Sequence, residues 1–270
     1  MAGIYIHIPF CKRRCIYCDF FSTTASEKKN EYIKALCKEI AGRKNYLGGE
    51  TIDTIYLGGG TPSQLEKDDF TNIFRTIYDN YSVNPNAEIT IEANPDDLTD
   101  GYVKMLSTLP FNRLSMGIQT FNDDILSLLK RRHNAQQAIE AFGKCKNAGF
   151  RNISIDLMYG LPGESMDTWN KDLDTAISLK PEHISAYHLI YEEGTALYKL
   201  REEKKVSEAD EDLSNSLFET LISRLKENGY VHYEISNFCR PGMHSRHNSS
   251  YWTGIKYLGC GPSAHSYDGH

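Results

Sequence analysis

The 270-residue chain has no apolar stretch near the roughly 20 residues a helix needs to cross a bilayer. Its N-terminus lacks the basic and long apolar regions of a signal peptide, so a cytoplasmic address is expected. There is no excess of positive charge either. Thirty Lys and Arg stand against 36 Asp and Glu, for a net charge of −6. That balance argues against non-specific binding of nucleic acid, and the short run Lys12-Arg13-Arg14 does not overturn it. No low-complexity tract and no Pro/Gly-rich linker divides the chain. Seven cysteines, an odd number without an export signal, speak for metal or redox chemistry over disulfide staples.

What is present is a repeated alternation of short apolar strands with amphipathic helical patterns. Strands are predicted at Gly3–Pro9, Thr51–Leu57, Ala87–Ala93, Phe111–Gln119, Arg151–Tyr159 and Glu182–Ile190. Helical spacing covers Ser26–Leu47, Gln64–Tyr81, Thr99–Leu109, Ala135–Ala148, Ser165–Leu179 and Ser207–Asn228. This order predicts a parallel sheet with crossover helices. Fully buried parallel strands read as continuous apolar runs, yet several of these alternate. Ile4, Ile6 and Ile8 oppose Tyr5 and His7; Ile89 and Ile91 oppose Glu88, Thr90 and Glu92; Ile153, Ile155 and Leu157 oppose Ser154 and Asp156. One face is fit for a helix layer and the other is polar. Charges do not fill a solid core without partners, so the polar face is expected to line a ligand cavity. The C-terminal strand ends, with Glu92, Gln119 and Asp156, are then the expected site.

Cys11, Cys15 and Cys18 follow the first strand in C-x₃-C-x₂-C spacing. A structural zinc ion takes four ligands, which would require His7 beside the three cysteines. An electron-transfer ferredoxin cluster takes four thiolates, and the next cysteine, Cys37, falls on the apolar face of a helical pattern. The remaining reading is a [4Fe–4S] cluster with three thiolates and one iron left open to a further ligand. Cys37 and Cys145 read as core thiols, Cys239 and Cys260 as structural thiols in loops, and Trp169 as packing.

At this point the residues resemble the radical S-adenosylmethionine (SAM) superfamily, in which the amino and carboxylate groups of SAM occupy the open iron. In that superfamily an electron from the cluster cleaves the sulfonium to methionine and a 5′-deoxyadenosyl radical. IYIHIPFC, YLGGGTPS, IEANP, LSMGIQTF, ISIDLMYGLPGE and YEISNF together resemble the oxygen-independent coproporphyrinogen III oxidase group. The resemblance implies an α/β fold, an open (βα)₆ partial TIM barrel over 1–228. It implies an incomplete C-terminal region from 229 to 270, since members of that group usually continue into a further helical domain. The implied cluster ligands are Cys11, Cys15 and Cys18. The implied SAM contacts are Tyr5, Gly59, Gly60, Thr61, Glu92, Gln119, Arg132 and Asp156, with contributions from Tyr187 and His265. Among these, the glycines would hold the SAM amino group and Arg132 its carboxylate, and Thr61 replaces a glutamate found in many members.

Two branches share that scaffold. The dehydrogenases decarboxylate coproporphyrinogen III and typically carry another cysteine at the position of Phe20. The sequence here, CDF, looks instead like the HemW haem-chaperone branch, which hands haem to target proteins. His247, Tyr251 and Trp252, in HNSSYW, match the motif associated with haem binding in that branch. Chemically, a histidine can ligate iron and aromatic faces can cover a porphyrin. A haem-accepting protein, an electron donor and a homodimer are the partners this resemblance implies. The coproporphyrinogen III dehydrogenase reaction is the alternative.

Overall fold

A computed structural model describes residues 2–270. Nine strands form one sheet: β1 (Ala2–Ile8), β2 (Ile52–Gly59), β3 (Val83–Ala93), β4 (Arg113–Gln119), β5 (Ile153–Tyr159), β6 (His183–His188), β7 (Val231–Glu234), β8 (Asn237–Cys239) and β9 (Lys256–Cys260). Their order is β7-β8-β6-β5-β4-β3-β2-β1-β9. Strands β1 to β6 pair in parallel, each beside the next, as the six predicted strands require. The sheet is open, because β7 and β9 end opposite edges and do not pair.

The crossovers are helical: α1 (Lys29–Gly42), α2 (Lys67–Asn80), α3 (Asp100–Leu106), α4 (Asp123–Leu128) and α5 (Ala135–Asn147) between β4 and β5, then α6 (Met166–Leu179). Beyond β6 come α7 (Ala196–Glu202), α8 (Glu211–Glu227) and, before β9, α9 (Arg246–Trp252). Helices α5 and α6 begin on capping boxes at Asn134 and Ser165, whose side chains accept from backbone amides that have no partner inside the helix. Ile4, Ile6, Ile8, Ile55, Leu57, Ile91, Leu114, Ile155 and Leu157 form one core with Leu36, Ile40, Phe70, Ile73 and Phe142 from the helices. The apolar half of each alternation thus meets the helix layer. Trp169 is fully buried in that core and donates through Nε1 to Leu217 O over 3.0 Å.

Residues 229–270 contribute further strands to the sheet. Strand β9 adds in parallel to β1, and β8 adds antiparallel to β6, so both extend the same sheet at opposite edges. These strands are only three to five residues long, too short for periodicity to reveal them. Cys239 and Cys260 accordingly lie buried in β8 and β9 instead of in loops. Cys145 is buried as expected; Cys37 is only partly buried against the core.

The polar face of the sheet is divided. Helix α9 lies against its lower part, where Glu88 accepts from the backbone amides of Arg246 and His247 at 3.1 and 3.0 Å. A carboxylate is favourable at a helix start, where amides are unpaired. Glu88 and Thr90 are therefore sealed from solvent, while Tyr5, His7 and Glu92 open onto a cavity of about 1000 Å³.

Candidate functional site

The cysteine loop leaves β1 through Pro9 and is tied at its base. Thr23 N donates to Pro9 O at 2.7 Å and Cys11 N donates to Thr23 O at 2.9 Å. Its middle is pinned where Ile16 N donates to Leu129 O and Ile16 O accepts from Leu197 N. Cys11, Cys15 and Cys18 are all partly exposed free thiols. Burial raises the pKa of Cys11 and of Cys18, and the neighbouring cysteines push each higher. Among the described residues no three His, Cys, Asp or Glu side chains close on a single ion. Cluster thiolates each bind a different iron and therefore stand wider apart than the ligands of one ion.

An arc of polar contacts joins two of these thiols through other strands. Cys11 Sγ lies 3.3 Å from Thr61 Oγ1, which accepts from Asn94 Nδ2 at 3.3 Å. Arg131 Nη2 donates to Asn94 Oδ1 at 2.7 Å, and its Nη1 donates to Cys15 Sγ at 3.4 Å. Arg131 Nε is buried without a partner, a donor left beside the cysteine loop. A cationic donor at the loop suits thiolates that carry negative charge, so the donor set fits an iron–sulfur cluster.

Arg132, the arginine expected at the SAM carboxylate, is engaged elsewhere. It pairs with Asp96 at 2.6 Å and with Asp97 at 3.1 Å, and Asp97 also holds Lys12 of the cysteine loop at 2.9 Å. The structure thus places Arg131 at the thiols and Arg132 in the support beneath them. Asn94 and Arg131 were missed by the sequence reading. Their signal was adjacency, in IEANP and in the arginine pair, and nothing in the sequence chose between Arg131 and Arg132.

The glycine run after β2 allows close approaches. Gly59 has a φ of 106°, and a Cβ there would sit 2.6 Å from the His7 ring. At Gly60 a Cβ would lie 2.8 Å from Ile8 O, the acceptor of its own amide. The Gly59 amide donates to Glu92 Oε2 at 3.1 Å, and Tyr56 donates its hydroxyl to Glu92 Oε1 at 2.7 Å. Burial nevertheless raises the Glu92 carboxyl to about 7, helped by the charge of Asp156. Asp156 is also raised by burial, against hydrogen bonds from Ser115 Oγ to both its oxygens at 3.1 and 3.2 Å. Gln119 ends β4 at a φ of 74°, a backbone conformation that costs energy for a residue with a side chain.

Of the residues expected to hold SAM, Tyr5, Glu92, Tyr187 and His265 line the cavity. Gly59, Gly60 and Thr61 stand between Glu92, the end of β1 and Cys11. Gln119 and Asp156 lie one and two strands further along the sheet from Glu92. On the other side the cavity is walled by His247, Tyr251 and Trp252 of α9 together with Phe20 and Phe21 of the cysteine loop. His247 is not a surface imidazole bonded to its own loop. It is 1% exposed, stacked on Tyr56 at 5.1 Å, with Nδ1 against Thr54 Oγ1 at 2.8 Å and Nε2 against Tyr251 Oη at 3.1 Å. Burial, aided by the charge of Arg113, lowers its pKa to about 3, so the ring is neutral.

The fold, three thiols and adjoining acidic and glycine-rich strand ends define a radical SAM protein. Residues 5–176 match the model of the Radical SAM superfamily, to which the chain belongs. It belongs within that superfamily to the family of Heme chaperone HemW. It is 38% identical over 273 residues to Heme chaperone HemW of Bacillus subtilis, covering 100% of this chain and 72% of that protein. The corresponding protein of Lactococcus lactis is 37% identical, covering 97% of this chain and 69% of its own length. Among solved structures, coproporphyrinogen III oxidase (HemN) from Escherichia coli, described as a radical SAM enzyme, superposes with a TM-score of 0.85 at 26% identity. That match covers 99% of this chain and 65% of the solved one. The expected open α/β barrel is thereby matched by a solved relative. Among the described residues no helix is long and apolar enough to cross a membrane.

Proposed function

We propose that the chain binds a [4Fe–4S] cluster through Cys11, Cys15 and Cys18, SAM on the adjoining strand ends, and haem in the mouth of the cavity, and passes that haem to a recipient protein in the cytoplasm. The family supports the first two ligands, and the HemW relatives support haem as cargo. A cluster held by these thiolates would supply one electron for reduction of the SAM sulfonium. Glu92 and Asp156 supply acceptors for ribose hydroxyls or a counter-charge to the sulfonium, and the Gly59–Gly60 backbone gives SAM room to approach. Arg131 steadies the thiolates. An electron donor and a second copy of the chain are further partners of this reading.

The observation that carries the haem reading is the cavity wall. Phe20, Phe21, Tyr187, Tyr251 and Trp252 all line it and all remain exposed, Phe20 by 69% and Trp252 by 71%. Soluble proteins seldom present five large aromatic side chains around one opening without a flat apolar ligand to cover them. Titration of the reconstituted chain with haem tests this. Saturable one-to-one binding at micromolar concentration is expected, and absence of binding removes the proposal.

The likeness to the solved E. coli enzyme favours a second reading, oxidation of coproporphyrinogen III to protoporphyrinogen IX. The same preparation, given SAM, a reductant and coproporphyrinogen III without air, decides it. Under the chaperone reading no decarboxylated tetrapyrrole forms while haem still binds.

A further inference from the structure

Three histidines line the cavity: His7, His247 and His265. An axial ligand to haem iron must offer a free ring nitrogen on a side chain that stands clear of its surroundings, because the porphyrin plane lies across the iron–nitrogen bond. His7 does not meet this requirement. It is 4% exposed, Nε2 is 2.8 Å from Phe21 O, and Nδ1 is 3.3 Å from Tyr5 Oη. His247 does not meet it either, since both its nitrogens are engaged, to Thr54 and Tyr251, and the ring is stacked against Tyr56 and Tyr5. Freeing His247 would strip hydrogen bonds from a buried ring and undo the packing of α9 on β2.

His265 is different. It is exposed, it lines the same cavity, and among the described residues neither ring nitrogen has a hydrogen-bond partner. Its backbone is nonetheless fixed. Tyr257 and Tyr267 exchange both backbone hydrogen bonds at 2.9 Å, and Ser266 Oγ accepts from Gly259 N and Arg43 Nη2 at 3.0 Å each. A free imidazole on an anchored segment, in the same cavity as exposed aromatic side chains, is the arrangement that an axial ligand requires.

We propose that His265 on the segment after β9, and not His247 of the HNSSYW helix, is the histidine that ligates haem iron, with Trp252, Phe20 and Phe21 covering the porphyrin. The proposal rests on the haem-binding reading above. In it His247 is a positioning residue: it holds Tyr251 and the start of α9 against the sheet. Arg14, also on the cavity wall, supplies positive charge for a propionate.

The test is a ferric haem titration of the whole chain followed by optical and electron paramagnetic resonance spectra. The unmodified chain should show histidine-ligated haem. His265→Ala should lose that signature and bind about tenfold or more weakly, and added imidazole should restore the signature. His247→Gln, checked for folding by circular dichroism, should keep it. An unchanged spectrum in His265→Ala overturns the assignment, as does loss of histidine ligation in a folded His247→Gln with His265 intact. Failure of the unmodified chain to bind haem at all would instead remove the chaperone reading, and the assignment with it.

Discussion

Nη1 of Arg131 lies 3.4 Å from Sγ of Cys15, joining the turn before α5 to a loop 116 residues away. The same guanidinium holds Asn94, so it connects the cysteine loop, the end of β3 and, through Gly117 O, the body of β4. Partners just outside a metal centre typically change its affinity by ~10–100-fold when removed. Arg131→Met should therefore speed loss of the reconstituted cluster in air about tenfold, whereas Arg132→Met should leave the rate near that of the unmodified chain. Iron and sulfide content followed over time checks this. Equal effects of both substitutions would show that Arg131 has no special relation to the cluster. Cys15→Ser should abolish the cluster absorbance altogether.

Glu92 makes a prediction about pH. Its carboxyl is raised to about 7, chiefly by burial, and a carboxyl group accepts hydroxyl hydrogen bonds best when ionised. SAM affinity should rise as pH increases through about 7 and then level off. The stability of the free chain runs the other way. A carboxyl whose folded pKa exceeds its unfolded value holds its proton longer when folded, so its contribution is complete below about 4.5 and is lost as pH rises through about 7. Tyr56→Phe removes a donor to the ionised form and should move the midpoint for SAM binding upward. Calorimetric titrations at several pH values measure both; an affinity flat from pH 6 to 8 would exclude Glu92 from the binding site.

Gly59 is required by geometry. A side chain there must adopt a φ of 106° and clear the His7 ring, 2.6 Å from its Cβ. Strained backbone of this kind costs about 1–3 kcal/mol. Gly59→Ala should lower unfolding free energy by about that amount in urea titrations, and it should weaken SAM binding by displacing the amide that holds Glu92. An alanine variant of unchanged stability would show that β2 and His7 relax freely. Gly42→Ala, a helical position with nothing near its Cβ, is the control and should be neutral or stabilising.

The six central strands were legible because alternation in β1, β3 and β5 carried two messages at once, an apolar face for the helices and a polar face for the cavity. The cysteine spacing and the glycine run announced the site for similar local reasons. What stayed hidden depends on contacts between distant segments. His247 is buried where Glu88, far away in sequence, accepts from the first two amides of α9 beside its Ser245 cap. Strands β8 and β9 are too short to show a period, and they exist because β6 and β1 offer them an edge. Arg131 and Arg132 are equivalent in composition; Asp96 and Asp97 separate their roles.

Arg113 shows how that hidden layer acts on the site. It is 1% exposed at the start of β4, and its Nε and Nη1 have no hydrogen-bond partner. Its charge nevertheless lowers the pKa of Glu92, Asp156 and His247, against the larger effect of burial on each carboxyl. A buried charge without close partners does little for stability, and an apolar replacement of similar shape is often neutral or favourable. Arg113→Met should therefore change the unfolding free energy of the free chain by less than about 1 kcal/mol. At neutral pH it should weaken SAM binding, because Glu92 then stays protonated to a higher pH, and affinity should recover on alkaline titration. Arg113→Lys keeps the charge and should keep the original midpoint. If Arg113→Met instead cost more than about 3 kcal/mol and left the pH profile unmoved, the guanidinium would be a structural hub and not an electrostatic one.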